Sequence, residues 1–191
     1  MKTRLHANVD GFSLIEVMTV VAIAGVLTAT AIGVLPGFLN QGHADGGATQ
    51  VLNALRLARE RAIGERRNIE VRFIGNNEIQ TVRDEIGVGG VATGTTTVAD
   101  INLEGLQFLQ FTGIGDTPDY FGSSGPIALG ASPTHMFTSE GTFIDSSGDV
   151  LNGTVFLGSP SGDKLSARAV TILGSTALLH TWKWNGKAWI D

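Results

Sequence analysis

The chain has 191 residues, room for one domain and a long appendage. Charged residues make up 16% of it, against roughly 25% in average soluble chains, and the formal net charge is −5. That balance argues against a nucleic-acid binder, whose footprint is basic; the absence of cysteine excludes disulfide scaffolds, thiolate metal sites and a cysteine nucleophile.

The charge deficit has a local source. Residues 1–11 read MKTRLHANVDG, with Lys2 and Arg4 ahead of Asp10 and Gly11. Residues 12–39 then carry one charge, Glu16, and none from Val17 to Leu39. About 20 apolar residues cross a bilayer as a helix, so this run is long enough. The preceding basic residues put the N-terminus in the cytoplasm and the remainder outside. A secretory signal peptide has a shorter apolar core, of about 7–15 residues. A plain membrane anchor is the other ordinary reading. Neither accounts for a glutamate five residues after a glycine.

The stretch Gly11-Phe12-Ser13-Leu14-Ile15-Glu16 resembles the type III signal of type IV prepilins and pseudopilins. The resemblance implies that a prepilin peptidase cuts after Gly11 and methylates the new N-terminal residue, Phe12. It implies that Glu16, fifth in the mature chain, pairs with the N-terminal amine of a neighbouring subunit. Other pilins or pseudopilins, an inner-membrane assembly platform and the lipid bilayer are the implied partners. No cofactor and no catalysis are implied. The setting is the bacterial inner membrane, with a single pass and the C-terminal head in the periplasm. Physics supports a paired Glu16: a carboxylate in hydrocarbon costs about 3 kcal/mol on insertion scales. Pairing relieves two charges and sets register. The alternative is that Glu16 sits near the headgroups and snorkels. Gly25 and the Pro36-Gly37 step are the weak points of the apolar helix.

Asn40 to Thr49 (NQGHADGGAT) is polar and holds three glycines, so helix propensity falls there. It reads as a hinge or as a frayed turn of one long helix. Val51, Leu52, Leu55, Ala58, Ala62 and Ile63 then recur at helical spacing, and residues 48–66 are expected to form an amphipathic helix against a sheet. Ile69–Ile74 and Ile79–Arg83 read as a hairpin across Gly75-Asn76-Asn77. Residues 84–100 are rich in Gly and Thr and read as a loop with at most a short strand. Leu106–Phe111 is a strand candidate, and 113–134 is a long excursion with three prolines. Strands are expected again at His135–Thr138, Thr142–Ile144, Gly153–Leu157, Ala167–Leu173 and Leu178–Trp184. The fold class is therefore α+β: a long N-terminal hydrophobic helix continuing into an amphipathic helix packed on an antiparallel sheet. The expected divisions are a leader (1–11), a membrane or filament-core helix (12–39), a hinge and amphipathic helix (40–66) and a β-rich head (67–191).

Within the head, Ala58 to Ile63, Ile69 to Val71, Gly141 to Asp145, Gly153 to Leu157, Ala167 to Ile172 and Trp182 to Trp189 are similar to the pseudopilin H and FimT group. That resemblance implies a minor pseudopilin of a type II secretion system, or alternatively a minor pilin aiding pilus assembly or DNA uptake. The group often carries Gly-Arg in its final hairpin, and a basic C-terminal region is linked there to DNA uptake. This chain has Thr176-Ala177-Leu178 instead, which weakens the DNA role; nucleic acid is disfavoured as a partner.

The remaining polar residues form no catalytic pattern. His6, His43, His135 and His180 are scattered without ligand spacing. Ser139 and Ser159 lack a nucleophile elbow. Asp145, Ser147 and Asp149 read as a turn or as calcium-type oxygens without the distal glutamate. Trp182 and Trp184 share one strand face, expected to meet the helix, with a neighbouring subunit as the other reading.

Overall fold

The computed structural model describes residues 11–86 and 92–191; the side chains of 33–36, 86 and 92 lie outside that description, as does all of 1–10 within the expected leader. The chain divides into two units, Met1–Phe38 and Leu39–Asp191. One helix, α1 (Leu14–Glu65), contributes to both.

In the first unit, Leu14–Ile32 is long and apolar enough to cross a membrane and buries none of its surface in the protein. At 1.5 Å per residue it reaches about 28 Å, close to the roughly 30 Å of a hydrocarbon core. Thr19 and Thr28 return their hydroxyls to the carbonyls of Ile15 and Ala24, so polar groups in the apolar run are satisfied within the helix.

In the second unit α1 presents a stripe of small residues. Ala44, Ala48, Val51, Ala54, Leu55, Ala58 and Ala62 are all buried. Alanines let the helix axis approach the strands closely, and Val51 and Leu55 fill what is left. Residues 40–49 are helical, within the one long helix rather than a frayed turn. Packing overrides propensity: a Cβ on buried Gly47 would lie 2.1 Å from the Leu106 side chain. The glycine that lowers helix propensity is the one that lets the Leu106 loop sit against the helix.

Among the described residues eleven strands follow: β1 (Ile69–Ile74), β2 (Glu78–Ile86), β3 (Ala92–Asn102), β4 (Gln107–Phe108), β5 (Ile127–Ala128), β6 (His135–Phe137), β7 (Phe143–Asp145), β8 (Gly153–Gly158), β9 (Arg168–Leu173), β10 (Leu178–Trp184) and β11 (Trp189–Ile190). They form two antiparallel sheets, β3-β2-β1-β6-β7 and β11-β10-β9-β8-β4, with β5 also on β8. Both contribute to the core under the helix stripe, through Ile69, Val71, Ile79, Phe137 and Phe143 on one side and Val155, Leu157, Val170, Ile172 and Leu179 on the other. Burying one such side chain contributes about 1.5–3 kcal/mol.

The expected loop at 84–100 is corrected. Residues 84–86 complete β2, and 92–100 belong to the 11-residue strand β3; 87–91 lie outside the described residues. Threonine is β-branched and suits a pleated strand, and an edge strand needs no apolar face, so Thr95, Thr96 and Thr97 stay exposed. The pairing shifts where Thr81 meets Ala99 and Val82 meets Thr97. The skipped Val98 carbonyl accepts from Arg61 Nη1 at 3.1 Å. The Leu106–Phe111 candidate shrinks to two residues, β4.

Candidate processing and assembly site

The N-terminal site lies in the first unit. Ser13 starts the helix: its carbonyl and its Oγ both accept from the Glu16 amide, at 3.1 and 3.3 Å. A serine three residues ahead of a glutamate is the capping-box spacing. Sequence reasoning passed over Ser13, although the S-x-x-E signal was legible. The acid also sits in the first helical turn, where the peptide dipoles favour negative charge.

Phe12 is 83% exposed. It shares a surface depression with Glu16, Val17, Val20 and Val21, residues spaced to fall along one side of a helix. Glu16 is thus the one carboxylate on a bare apolar stripe. A Cβ on Gly11 would meet nothing within 4 Å. Nothing in the described residues requires glycine there.

In the second unit the strongest polar constellation centres on Arg168, which sequence reading quoted only as part of an apolar strand. Its side chain is 2% exposed. Nε donates to Asp45 Oδ1 at 2.6 Å, and Nη1 donates to the carbonyls of Leu165 and Ala167 at 2.8 and 2.9 Å. Nη2 reaches the Gln41 carbonyl at 3.4 Å, and Lys183 Nζ meets Asp45 Oδ2 at the same distance. Burial pushes the Asp45 carboxyl up, but the Arg168 hydrogen bond and charge, with Lys183, outweigh it and hold the group below the ordinary carboxylate range. This is a clamp between the 41–45 turn of α1 and strands β9 and β10. A charge inside an otherwise apolar strand was the signal that could have found it.

Trp182 and Trp184 do not face the helix. Val170 and Ile172 take that side of β9, so Ala169 and its register partner Trp182 take the other. There the tryptophans pack on a second cluster with Phe111, Ile114, Phe156 and Trp189. The excursion covers this cluster, pinned by Asp119 Oδ2, which accepts from Trp182 Nε1 at 2.9 Å and from the Thr171 hydroxyl.

Asp145 closes a turn: its Oδ1 accepts from the amides of Ser147 and Asp149, at 2.8 and 3.0 Å. Among the described residues no three His, Cys, Asp or Glu side chains converge as a metal site. His135 is buried, its Nε2 donating to the Leu129 carbonyl at 3.1 Å, and burial holds it below the ordinary histidine range. It stacks on Phe143 with ring centroids 6.1 Å apart. His43 and His180 are exposed and distant in sequence; His6 lies outside the described residues.

Comparison with known proteins gives one family profile, the prokaryotic N-terminal methylation motif, matched over residues 7–32. That span encloses Gly11, Phe12 and Glu16. Among solved structures the chain is similar to the minor pseudopilin EpsH of the Type 2 Secretion System of Vibrio cholerae. Identity there is 17%, the TM-score is 0.47, and the alignment covers 74% of this chain and 97% of that one. A likeness of that size carries no assignment. No curated protein matches.

Proposed function

We propose that this chain is a subunit of a membrane-anchored, pilin-like filament, and more specifically a minor pseudopilin of a type II secretion system that works in protein export. One observation carries the reading. A methylation-motif match encloses Gly11-Phe12, and the helix that follows leaves a single carboxylate, Glu16, on an uncovered apolar stripe. A prepilin peptidase would remove residues 1–11 and methylate Phe12. The freed amine and the Glu16 of a neighbour then relieve each other's charge in the bilayer and fix register. The head, with its amphipathic helix on antiparallel sheets, is the pilin-like part that would remain in the periplasm.

Replacing Glu16 with Ala tests the assembly role. The variant should be processed and membrane-resident, and its head should melt as wild type does. Crosslinking to neighbouring subunits in the membrane should weaken. Unchanged crosslinking together with unchanged secretion and piliation would remove Glu16 from assembly. Deleting the gene separates the two settings: lost export with intact pili supports the secretion reading, and lost pili with intact export supports a minor pilin of a type IV pilus.

A further inference from the structure

The sheet β11-β10-β9-β8-β4 has an unfinished edge. β11 covers only Lys183 and Trp184 of β10, and residues 178–182 carry no strand on that side among the described residues. Alternation along β10 shows which backbone groups are left over. Trp184 donates its amide to the Ala167 carbonyl and Asn185 donates to that of Ala188, at 3.1 Å each. Trp184, and with it Trp182, His180 and Leu178, therefore turns N–H and C=O towards β9, while the residues between turn theirs outward. Lys183 meets Ile190 there, but Leu179 and Thr181 face no strand among the described residues. Proline and lysine are the usual guards of a bare edge, and residues 178–182 contain neither.

Beside this edge runs α1. Asp45 and Ala48 line a pocket of about 220 Å³ with Thr181 and Lys183. Arg56, Arg59 and Ile63 line another, of about 270 Å³, with Leu179. Helix and strand are thus antiparallel neighbours of matching length: Asp45 to Glu60 rises about 23 Å in a helix, and Thr176 to Lys183 spans about 23 Å as a strand. The two pockets are stations along one slot.

We propose that the slot between β10 and α1 takes an extended segment of a different filament subunit, added to the sheet as an antiparallel strand against residues 178–182. The inference rests on the filament reading and gives it a mode of contact, strand addition at a free edge. β11 already sits on this edge in the same antiparallel sense, and the guest continues where it stops. Alternation also sets the guest's chemistry. Its side chains opposite Leu179 and Thr181 share the helix side. There Arg56 and Arg59 stand with Glu60, and among the described residues the arginine–carboxylate pairs belong to Arg67, Arg72, Arg83 and Arg168. Acidic side chains fit that side. Those opposite Leu178 and His180 take the outer face, where Leu178 is 62% exposed, and apolar ones fit there. A second copy does not serve as guest. Antiparallel pairing of β10 with β10 would make the two α1 helices antiparallel, so the heads would be entered from opposite ends, which one bilayer does not allow. The contact is therefore used once per partner, as a minor subunit requires.

The test uses the full-length chain in cells that hold the whole filament system. Leu178 and His180, both exposed, are replaced one at a time by photo-reactive benzoylphenylalanine, and the crosslinked peptides are sequenced by mass spectrometry. The two probes should reach one segment of one other subunit, at residues two apart and in reversed order. Thr181→Pro removes an outward N–H only, and edge strands tolerate proline where the N–H faces solvent. That variant should melt close to wild type and lose both crosslinks, while Thr181→Ala keeps them. Arg56→Glu, at an exposed helix position, should weaken them several-fold and covers the case in which the proline variant fails to fold. No crosslink, crosslinks only to a second copy, contacts without the two-residue step, or crosslinks unchanged in folded Thr181→Pro or in Arg56→Glu would each overturn the proposal. Intact mass of the same protein keeps the two readings apart. A chain that has lost 1–11 but shows no stepped pair defeats this contact alone, whereas a chain that keeps its leader defeats the filament reading.

Discussion

Removing Asp45 should loosen the head where its helix is intrinsically weakest. Asp45→Ala leaves the Arg168 guanidinium buried, with carbonyl partners but no counter-charge. Breaking a fully buried pair by deleting one member costs about 3–5 kcal/mol. Here Asp45's side chain is 52% exposed, so water reaches the gap and the cost falls towards that of one charge-assisted hydrogen bond, about 1.5–3 kcal/mol. Alanine's better helix propensity returns about 0.5 kcal/mol. A net loss of about 2 kcal/mol follows, or a fall of about 5 °C in melting temperature for a domain of this size. The assay is urea and thermal unfolding of the fragment Leu39–Asp191, with amide exchange across 41–49. Because folding lowers the Asp45 pKa below its unfolded value, the clamp is fully present above about pH 4 and is lost as pH falls through the folded value. The gap between wild type and variant should therefore close in acid. A fragment beginning at Gly47 lacks the clamp and the buried Ala44 as well, and should be weaker by more than that amount. Equal stabilities at neutral pH, or a gap that ignores pH, would refute the reasoning.

The paired glycines of α1 should respond oppositely. A Cβ on Gly46 meets nothing, so Gly46→Ala should raise stability by about 0.5–1 kcal/mol. Gly47→Ala drives into the buried Leu106 side chain, and overpacking of about 1–3 kcal/mol cancels or exceeds the same gain; calorimetry of both variants checks the contrast. His135 is held neutral, so unfolded chains take up a proton that the folded head refuses as pH drops below about 6.5. Stability should decline from there downward, well above the acid range where Asp45 acts, and His135→Leu should flatten that upper limb at some cost in baseline stability.

What could be read from the sequence follows the strength of each physical signal. The N-terminal helix was plain because a long uncharged run interrupted by one glutamate has few other readings. The β1–β2 hairpin was plain because Ile69, Val71 and Phe73 alternate against a turn of Gly and Asn. Strand β3 was hidden: an edge strand of threonines carries no apolar alternation. The helical state of 40–49 was hidden because it depends on contacts made far along the chain, by Leu106 and Arg168, which override three glycines. The facing of Trp182 and Trp184 was misjudged because two-residue periodicity says which side chains share a face, and only the register with Ala169 says which face that is. At the candidate site, Gly11, Phe12 and Glu16 stand out through a short motif. Ser13, whose cap the same six residues announce, was overlooked.

The account stands most directly on what happens at the Gly11–Phe12 bond. Intact-mass spectrometry of the membrane-extracted protein, from cells with and without an active prepilin peptidase, reads it in one step. With the peptidase, the chain should begin at Phe12 and carry one added methyl group; without it, Met1–Gly11 should remain. A mature chain that keeps its first eleven residues beside an active peptidase, or one cut elsewhere in the apolar run, would contradict the central claim.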